Sequence, residues 1–237
     1  MKIMAMIPTY NEIGNIEKLI NEILKQNENI EVVIVDDNSP DGTWKKVKEM
    51  QENNSRIHLV HRINEKGRGS AGIAGFIYAI NHNADYVIEM DADFSHQPKY
   101  IPLLLAKADQ DTVVIGSRLV EGGNEAGRSP TRKLITNLAS IYIRLILNVP
   151  VKDCTSGYRV FSRKILQKIN LEQMKSNGPA IVQEILVACK REGFSFVEVP
   201  IMFEERYAGE STFNFKIMLA GLISVIKFRI KDIFKLR

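Results

Sequence analysis

A chain of 237 residues with a formal net charge of +4 and a pI near 8.9 is long enough to bury a sizeable core and too mildly basic for a dedicated nucleic-acid binder. Its apolar segments fall short of the roughly 20 residues that span a bilayer, and no secretory leader precedes the first of them. The two cysteines, Cys154 and Cys189, have no metal-ligand spacing, so a reduced cytosolic setting is expected.

Short apolar runs alternate with helical patterns through the first half of the chain. Strands are predicted at 2–7, 31–35, 57–60, 86–90 and 112–116. Between them, helices are predicted at 15–26, 43–52, 70–81 and 98–107, the first with Ile16, Leu19, Ile20, Ile23 and Leu24 on one face. Alternating βα units imply an α/β fold with a mostly parallel sheet flanked by helices. Strands buried on both faces should be apolar throughout, as Val32–Val35 and Val113–Ile115 are. Beyond Ser117 the pattern changes to a glycine-rich loop at 121–127 and a long helix at 131–147. A strand at 158–161, a helix at 183–191 and a strand at 194–199 follow.

Right-handed βα connections should set three polar segments along one sheet edge, where ligand crevices form. After the first strand come Pro8, Tyr10 and Glu12. After the second come Asp36-Asp37-Asn38-Ser39-Pro40-Asp41-Gly42, which also reads as a turn that caps the next helix. After the fourth come Asp91, Ala92, Asp93, Phe94, Ser95 and His96. A ring and two carboxylates suit a nucleoside. Two carboxylates one residue apart repel each other unless a cation lies between them, and Mg²⁺ or Mn²⁺ commonly bridges carboxylates to phosphates. Asp91 and Asp93 are therefore the candidate metal ligands.

Together these segments resemble family-2 glycosyltransferases of the GT-A fold, and within them the dolichyl-phosphate or polyprenyl-phosphate mannosyltransferases. The resemblance runs from Ile7 to about Phe228. It rests on Pro8-x-Tyr10-Asn11-Glu12, Val35-Asp36-Asp37-Asn38-Ser39-Pro40-Asp41-Gly42-Thr43, Met90-Asp91-Ala92-Asp93-Phe94-Ser95-His96-Gln97-Pro98 and Ile115-Gly116-Ser117-Arg118. It also rests on Asp153-x-Thr155-Ser156-Gly157-Tyr158-Arg159 and Glu198-Val199-Pro200-Ile201-x-Phe203-x-x-Arg206. The resemblance implies nucleotide contacts at Pro8, Tyr10, Glu12, Val35 and Asp37. It implies metal and diphosphate contacts at Asp91, Ala92 and Asp93, with Ser95 standing where some members have a glutamine ligand. Donor-phosphate contacts fall at Arg118 and Arg206. The implied reaction is inverting transfer of mannose from GDP-mannose to dolichyl or polyprenyl phosphate, with Mg²⁺ or Mn²⁺ as cofactor; UDP-glucose is the alternative donor. Because a lipid phosphate is already anionic, no general base is required. Arg118, Arg132 and Lys133 are candidates for the acceptor phosphate.

Three features point elsewhere. Gly67-Arg-Gly69-Ser-Ala-Gly72 fits G-x-G-x-x-G, the mark of an NAD-binding oxidoreductase, but it follows the third strand rather than the first and reads better as a tight turn with close helix packing. His96 is expected to be an exposed loop residue, and Cys154 a packing thiol. The last residues form a basic amphipathic helix. Ile226, Ile230, Ile233 and Phe234 recur at helical spacing, with Lys227, Lys231 and Lys235 on another face. The alternative for that helix is docking on the core through its 217–226 face. We expect a catalytic domain at 1–212 and a membrane-surface helix at 213–237. That arrangement suits an enzyme peripheral on the cytoplasmic face of a membrane, alone or with a membrane-anchoring partner protein.

Overall fold

The computed structural model describes residues 1–204 and 215–234. Its main sheet has seven strands. In chain order these are β1 (Ile3–Thr9), β2 (Ile30–Asp36), β3 (Ile57–His61), β4 (Tyr86–Glu89), β5 (Thr112–Ser117), β7 (Arg159–Ser162) and β8 (Ser195–Pro200). A small second sheet pairs β6 (Asn124–Glu125) with β9 (Met202–Phe203). The helices are α1 (Ile16–Leu24), α2 (Thr43–Asn53), α3 (Arg68–Asn81), α4 (Ile101–Leu105), α5 (Pro130–Leu147), α6 (Arg163–Lys168), α7 (Ile181–Arg191) and α8 (Phe215–Ile233). The expected boundary at 212/213 lies outside the described residues.

Across the main sheet the order is β3-β2-β1-β4-β7-β5-β8, and all neighbours are parallel except at β7, which runs antiparallel to β4 and β5. Strand alternation sends Ile3, Ala5 and Ile7 to one apolar layer and Met4 and Met6 to the other. One layer is closed by α1, α2 and α4; the other by α3, α5, α6 and α7. The apolar stripe of α1 (Ile16, Leu19, Ile20, Ile23 and Leu24) is buried as its period requires. Because β7 runs backwards, the segment that feeds it, 153–158, reaches the edge formed by the C-terminal ends of the parallel strands.

α5 begins at Pro130 behind Ser129, whose hydroxyl accepts the Arg132 N–H at 3.4 Å, and it stops at Asn148 in the left-handed conformation. α8 docks one side on the core, with Val225 buried and Phe228 packed on the layer beneath; the Tyr142 hydroxyl donates to the Leu222 carbonyl at 3.1 Å. Asp232 ties it down further, accepting from Arg191 at 2.8 Å. Its other side, with Leu219, Ile223, Ile226, Ile230 and Ile233, is exposed, so Ile226 belongs to the solvent side and not to the docked one. α5 likewise exposes Leu134, Leu138, Ile141 and Leu145.

Two of the glycines at 67–72, Gly67 and Gly69, serve close packing. Gly67 has φ +130°, and the Gly69 N–H donates to the Asn177 carbonyl at 2.8 Å. A Cβ on Gly69 would lie 1.8 Å from the Ser176 carbonyl oxygen. Alanine gains roughly 1 kcal/mol over glycine in a helix, but backbone overlap of this depth costs about 1–3 kcal/mol. Gly69→Ala should therefore lower the midpoint of chemical unfolding; an unchanged or raised midpoint would show that the 176–177 segment yields freely.

Candidate active site

The first two loops of the edge are laced together. The backbone N–H groups of Asn11, Glu12 and Ile13 donate to Ser39 Oγ, Thr43 Oγ1 and Asp41 Oδ2, each at 3.0 Å. Asp36 holds the turn from below, accepting from Thr9 Oγ1 at 2.9 Å and from Ser39 Oγ at 2.7 Å. Asn11 and Asn38 take the left-handed conformation that lets both loops reverse tightly. Tyr10 is left 46% exposed, its ring facing the Lys66 ammonium at 6.0 Å, so a planar base can reach it. Glu12 accepts from Asn15 Nδ2 at 2.7 Å. Val35 is buried in the core and Pro8 has no N–H, so each offers a ligand little more than backbone carbonyl and surface.

Asp37 is buried and already engaged. Its Oδ1 accepts from Arg62 Nε at 2.7 Å, and its Oδ2 accepts from the Gly67 N–H at 2.8 Å. Arg62 is buried too, and reaches Glu65 at 2.9 Å and Ser70 Oγ at 3.1 Å. Arg62 was not among the residues expected at the site. The signal existed, since it follows β3 at the same edge as the other strand-end residues.

The acidic loop follows β4. Phe94 adopts φ +63°, and the Ser95 N–H donates to Asp93 Oδ1 at 3.0 Å, which folds the loop around Asp93. Asp93, Ala92 and Ser95 are buried, whereas the Asp91 carboxylate is 38% exposed. Arg68 Nη2 donates to Asp91 Oδ1 at 3.0 Å. His96 is not the exposed residue expected: it is 2% exposed, stacks on Tyr158 with ring centroids 5.0 Å apart, and accepts the Asp91 N–H at Nδ1. Burial lowers its pKa, outweighing the pull of Asp91 and Asp93, so it serves as a neutral acceptor that fixes the loop. Among the described residues, no group of three or more His, Cys, Asp and Glu side chains is arranged to hold a metal by itself. Two hard carboxylates with one face open instead fit a divalent cation that takes its remaining oxygens from a bound diphosphate.

Arg118 ends β5 in a clamp. Its Nε and Nη2 donate to the two oxygens of Asp153, each at 2.7 Å, and its backbone N–H donates to Asp153 Oδ2 at 3.0 Å. Nη1 lies 3.2 Å from Glu125. Glu125 also pairs with Arg128 at 3.1 Å, and both guanidiniums lie over the Phe203 ring, at 5.2 and 4.7 Å from its centroid. At the start of α5, Lys133 Nζ lies 3.4 Å from Asn124 Oδ1. Arg118, Arg128 and Lys133 thus surround the small β6–β9 sheet, with Arg132 exposed at the start of α5. Arg128 escaped the sequence reading because, although Glu125 is only three residues away, the Phe203 ring beneath it is brought there by the β6–β9 pairing. Arg206 lies outside the described residues. Cys154 is a packing thiol, donating to the Val151 carbonyl at 3.2 Å, with burial pushing its pKa up to about 12.

The edge therefore brings together carboxylates, an exposed ring and a cationic rim, and the comparisons with known proteins give the family of the chain. The chain belongs to glycosyl transferase family 2, whose family model matches residues 4–170. An undecaprenyl-phosphate mannosyltransferase of Micrococcus luteus is 35% identical over 228 residues, 96% of this chain and 94% of the relative. The polyprenol monophosphomannose synthase of Mycolicibacterium smegmatis is 34% identical, over 96% of this chain and 87% of the relative. The dolichol-phosphate mannosyltransferase of Pyrococcus furiosus is 37% identical over 94% of this chain but only 62% of its own length. Among solved structures, glucosyl-3-phosphoglycerate synthase from Mycobacterium tuberculosis, in complex with Mn²⁺, UDP and glucosyl-3-phosphoglycerate, superposes with a TM-score of 0.67. It is 18% identical and the match covers 98% of this chain and 79% of that one, which establishes the GT-A fold. The chain is a glycosyltransferase, and the oxidoreductase alternative falls away.

The Arg118–Asp153 clamp has a pH signature. Burial alone would raise the Asp153 pKa, but the hydrogen bonds and charge of Arg118 outweigh it and hold it below the ordinary 3.8. The stabilisation is complete above that ordinary value and drains away as pH falls through the lowered folded one. Asp153→Asn should therefore cost roughly 3 kcal/mol at neutral pH and flatten the acid limb of stability against pH. An unchanged acid limb in urea unfolding would contradict the clamp.

Proposed function

We propose that this enzyme transfers mannose from GDP-mannose to a polyprenyl or dolichyl phosphate at a membrane surface, with inversion at the anomeric carbon. The observation that carries the reading is the Asp91–Asp93 loop at the mouth of the nucleotide crevice, in a chain matched over 94–96% of its length, at 34–37% identity, by relatives named as lipid-phosphate mannosyl enzymes. A mannosyltransferase of the same fold from Pyrobaculum calidifontis, solved with GDP-mannose and Mn²⁺, is 15% identical with a TM-score of 0.53.

In this reading Tyr10 stacks on the base, while Pro8, Glu12, Val35 and Asp37 line the nucleoside. Asp91 and Asp93, with Ala92 between them and Ser95 beneath, would hold Mg²⁺ or Mn²⁺; the ion supplies charge to the departing diphosphate. Arg118, and Arg206 beyond the described residues, are the proposed donor-phosphate contacts. Arg132 and Lys133, at the start of α5, meet the acceptor phosphate together with Arg118. The acceptor oxyanion attacks without a base, so the protein's task is to bring two anions together and shield their repulsion.

The apolar stripes of α5 and α8 support work at a lipid surface. Two helices that touch each other both leave leucines and isoleucines in solvent, more than a freely soluble surface usually carries. No helix among the described residues is long and apolar enough to cross a membrane. We place the enzyme peripherally on the cytoplasmic face, with residues 1–212 catalytic and 213–237 an interfacial helix, with or without an anchoring partner protein.

One assay tests the reading: transfer from GDP-mannose to undecaprenyl phosphate in anionic vesicles. Asp91→Asn and Asp93→Asn should each lower transfer by about 100-fold or more, with melting temperatures close to wild type, and EDTA should do the same. The double variant Leu138→Glu/Ile230→Glu should lose vesicle binding and transfer to the long lipid while keeping transfer to a short, water-soluble isoprenyl phosphate. Full transfer in EDTA would remove the metal, and wild-type vesicle binding by the double variant would remove the membrane surface.

A further inference from the structure

Arg68, the first residue of α3, bridges two carboxylates of the β4 end. Its Nη2 lies 3.0 Å from Asp91 Oδ1 and its Nη1 3.4 Å from Glu89 Oε1. Glu89 is 1% exposed, and its second oxygen, Oε2, has no hydrogen-bond partner among the described residues. Its cross-strand partner Arg159 is fully buried, and there Nε and Nη2 likewise lack partners, so it does not satisfy that oxygen. A buried carboxylate oxygen with no donor is a position that a nearby guanidinium gains by filling. Room for the guanidinium at Asp91 depends on Gly157, where an added Cβ would lie 2.7 Å from Arg68 Nη2.

We propose that Arg68 is the resident counter-cation of the acidic loop: it neutralises Asp91 while no metal is bound and withdraws onto the unpartnered oxygen of Glu89 when a divalent cation takes Asp91. The inference rests on the metal reading above and adds a consequence to it. In the absence of donor, a metal ion must displace an ion pair already made, so it binds weakly. A nucleoside diphosphate brings further negative charge, which restores the attraction, and metal and donor then bind as a set. Arg68 touches no reacting atom in this scheme; it is a positioning residue that acts through Asp91.

The test is Mn²⁺ binding to donor-free protein, followed by the loss of the free-ion signal in electron paramagnetic resonance. Arg68→Gln should tighten Mn²⁺ binding by about five- to tenfold, the scale of a modest coupling between sites. Gly157→Ala should act in the same direction, because the new methyl group, 2.7 Å from Nη2, pushes the guanidinium away without lying against Asp91. Its backbone is not in the left-handed region, so alanine is tolerated there and the variant remains informative if Arg68→Gln does not fold. Adding Asp91→Asn to either variant should abolish the gain. Unchanged or weaker Mn²⁺ binding in Arg68→Gln and Gly157→Ala overturns the inference while leaving the metal reading intact, provided that GDP or UDP promotes Mn²⁺ binding to the wild type through Asp91. If Mn²⁺ fails to bind the wild type even with GDP or UDP present, or binds as well without Asp91, the metal reading fails and the inference fails with it.

Discussion

The constraint on which this structure turns is like-charge repulsion at one edge of a sheet. Asp36, Asp37, Glu89, Asp91, Asp93 and Asp153 all sit at or next to the ends of strands that open on the same side. Brought together in a low-dielectric setting, such groups would shift up in pKa and neutralise unless matched. The chain meets most of this charge with arginines and hydrogen bonds, and Asp93 accepts the Ser95 N–H. Arg62 holds Asp37, Arg68 spans Glu89 and Asp91, and Arg118 is clamped on Asp153 and Glu125. Asp36 is satisfied by hydroxyls and a backbone N–H instead. The fold around them provides this geometry: parallel strands aim their ends one way, and the reversed β7 delivers Asp153 and Gly157 from the opposite direction.

This arrangement bears on what each arginine can do. Both forks of Arg118 are spent on Asp153 and Glu125, so a phosphate near it meets a cation whose charge is partly cancelled. Arg128, and Arg132 and Lys133 in the first turn of α5, are more exposed than Arg118. The Phe203 ring beneath Arg118 and Arg128 orders both guanidiniums and links the rim to the acidic loop through its edge contact with His96.

Much of the fold was legible in the sequence because its signals are periodic. Doubly apolar strands such as Val32–Val35 and the stripe of α1 follow from burial alone. The acidic loop was legible because Asp91 and Asp93 close an apolar run. What could not be read were pairings between distant segments. The β6–β9 ladder joins residues nearly 80 apart in the chain, and the partner of Arg118, 35 residues further on, is chosen by the reversal of β7. The burial of His96 was misjudged for the same reason. A loop position next to two aspartates looks solvated until Tyr158 and Phe203, from remote strands, close over it.

The central claim is that this edge binds a nucleotide-activated mannose and passes it to a lipid phosphate. Its most direct measurement is a panel of nucleotide sugars, each incubated with the protein, undecaprenyl phosphate and Mn²⁺, with the lipid product identified by mass spectrometry. Mannosyl-phosphoryl lipid formed from GDP-mannose in preference to UDP-glucose is the result predicted here. Preferential transfer of glucose from UDP-glucose, or no lipid-linked sugar from any donor in the panel, would contradict it.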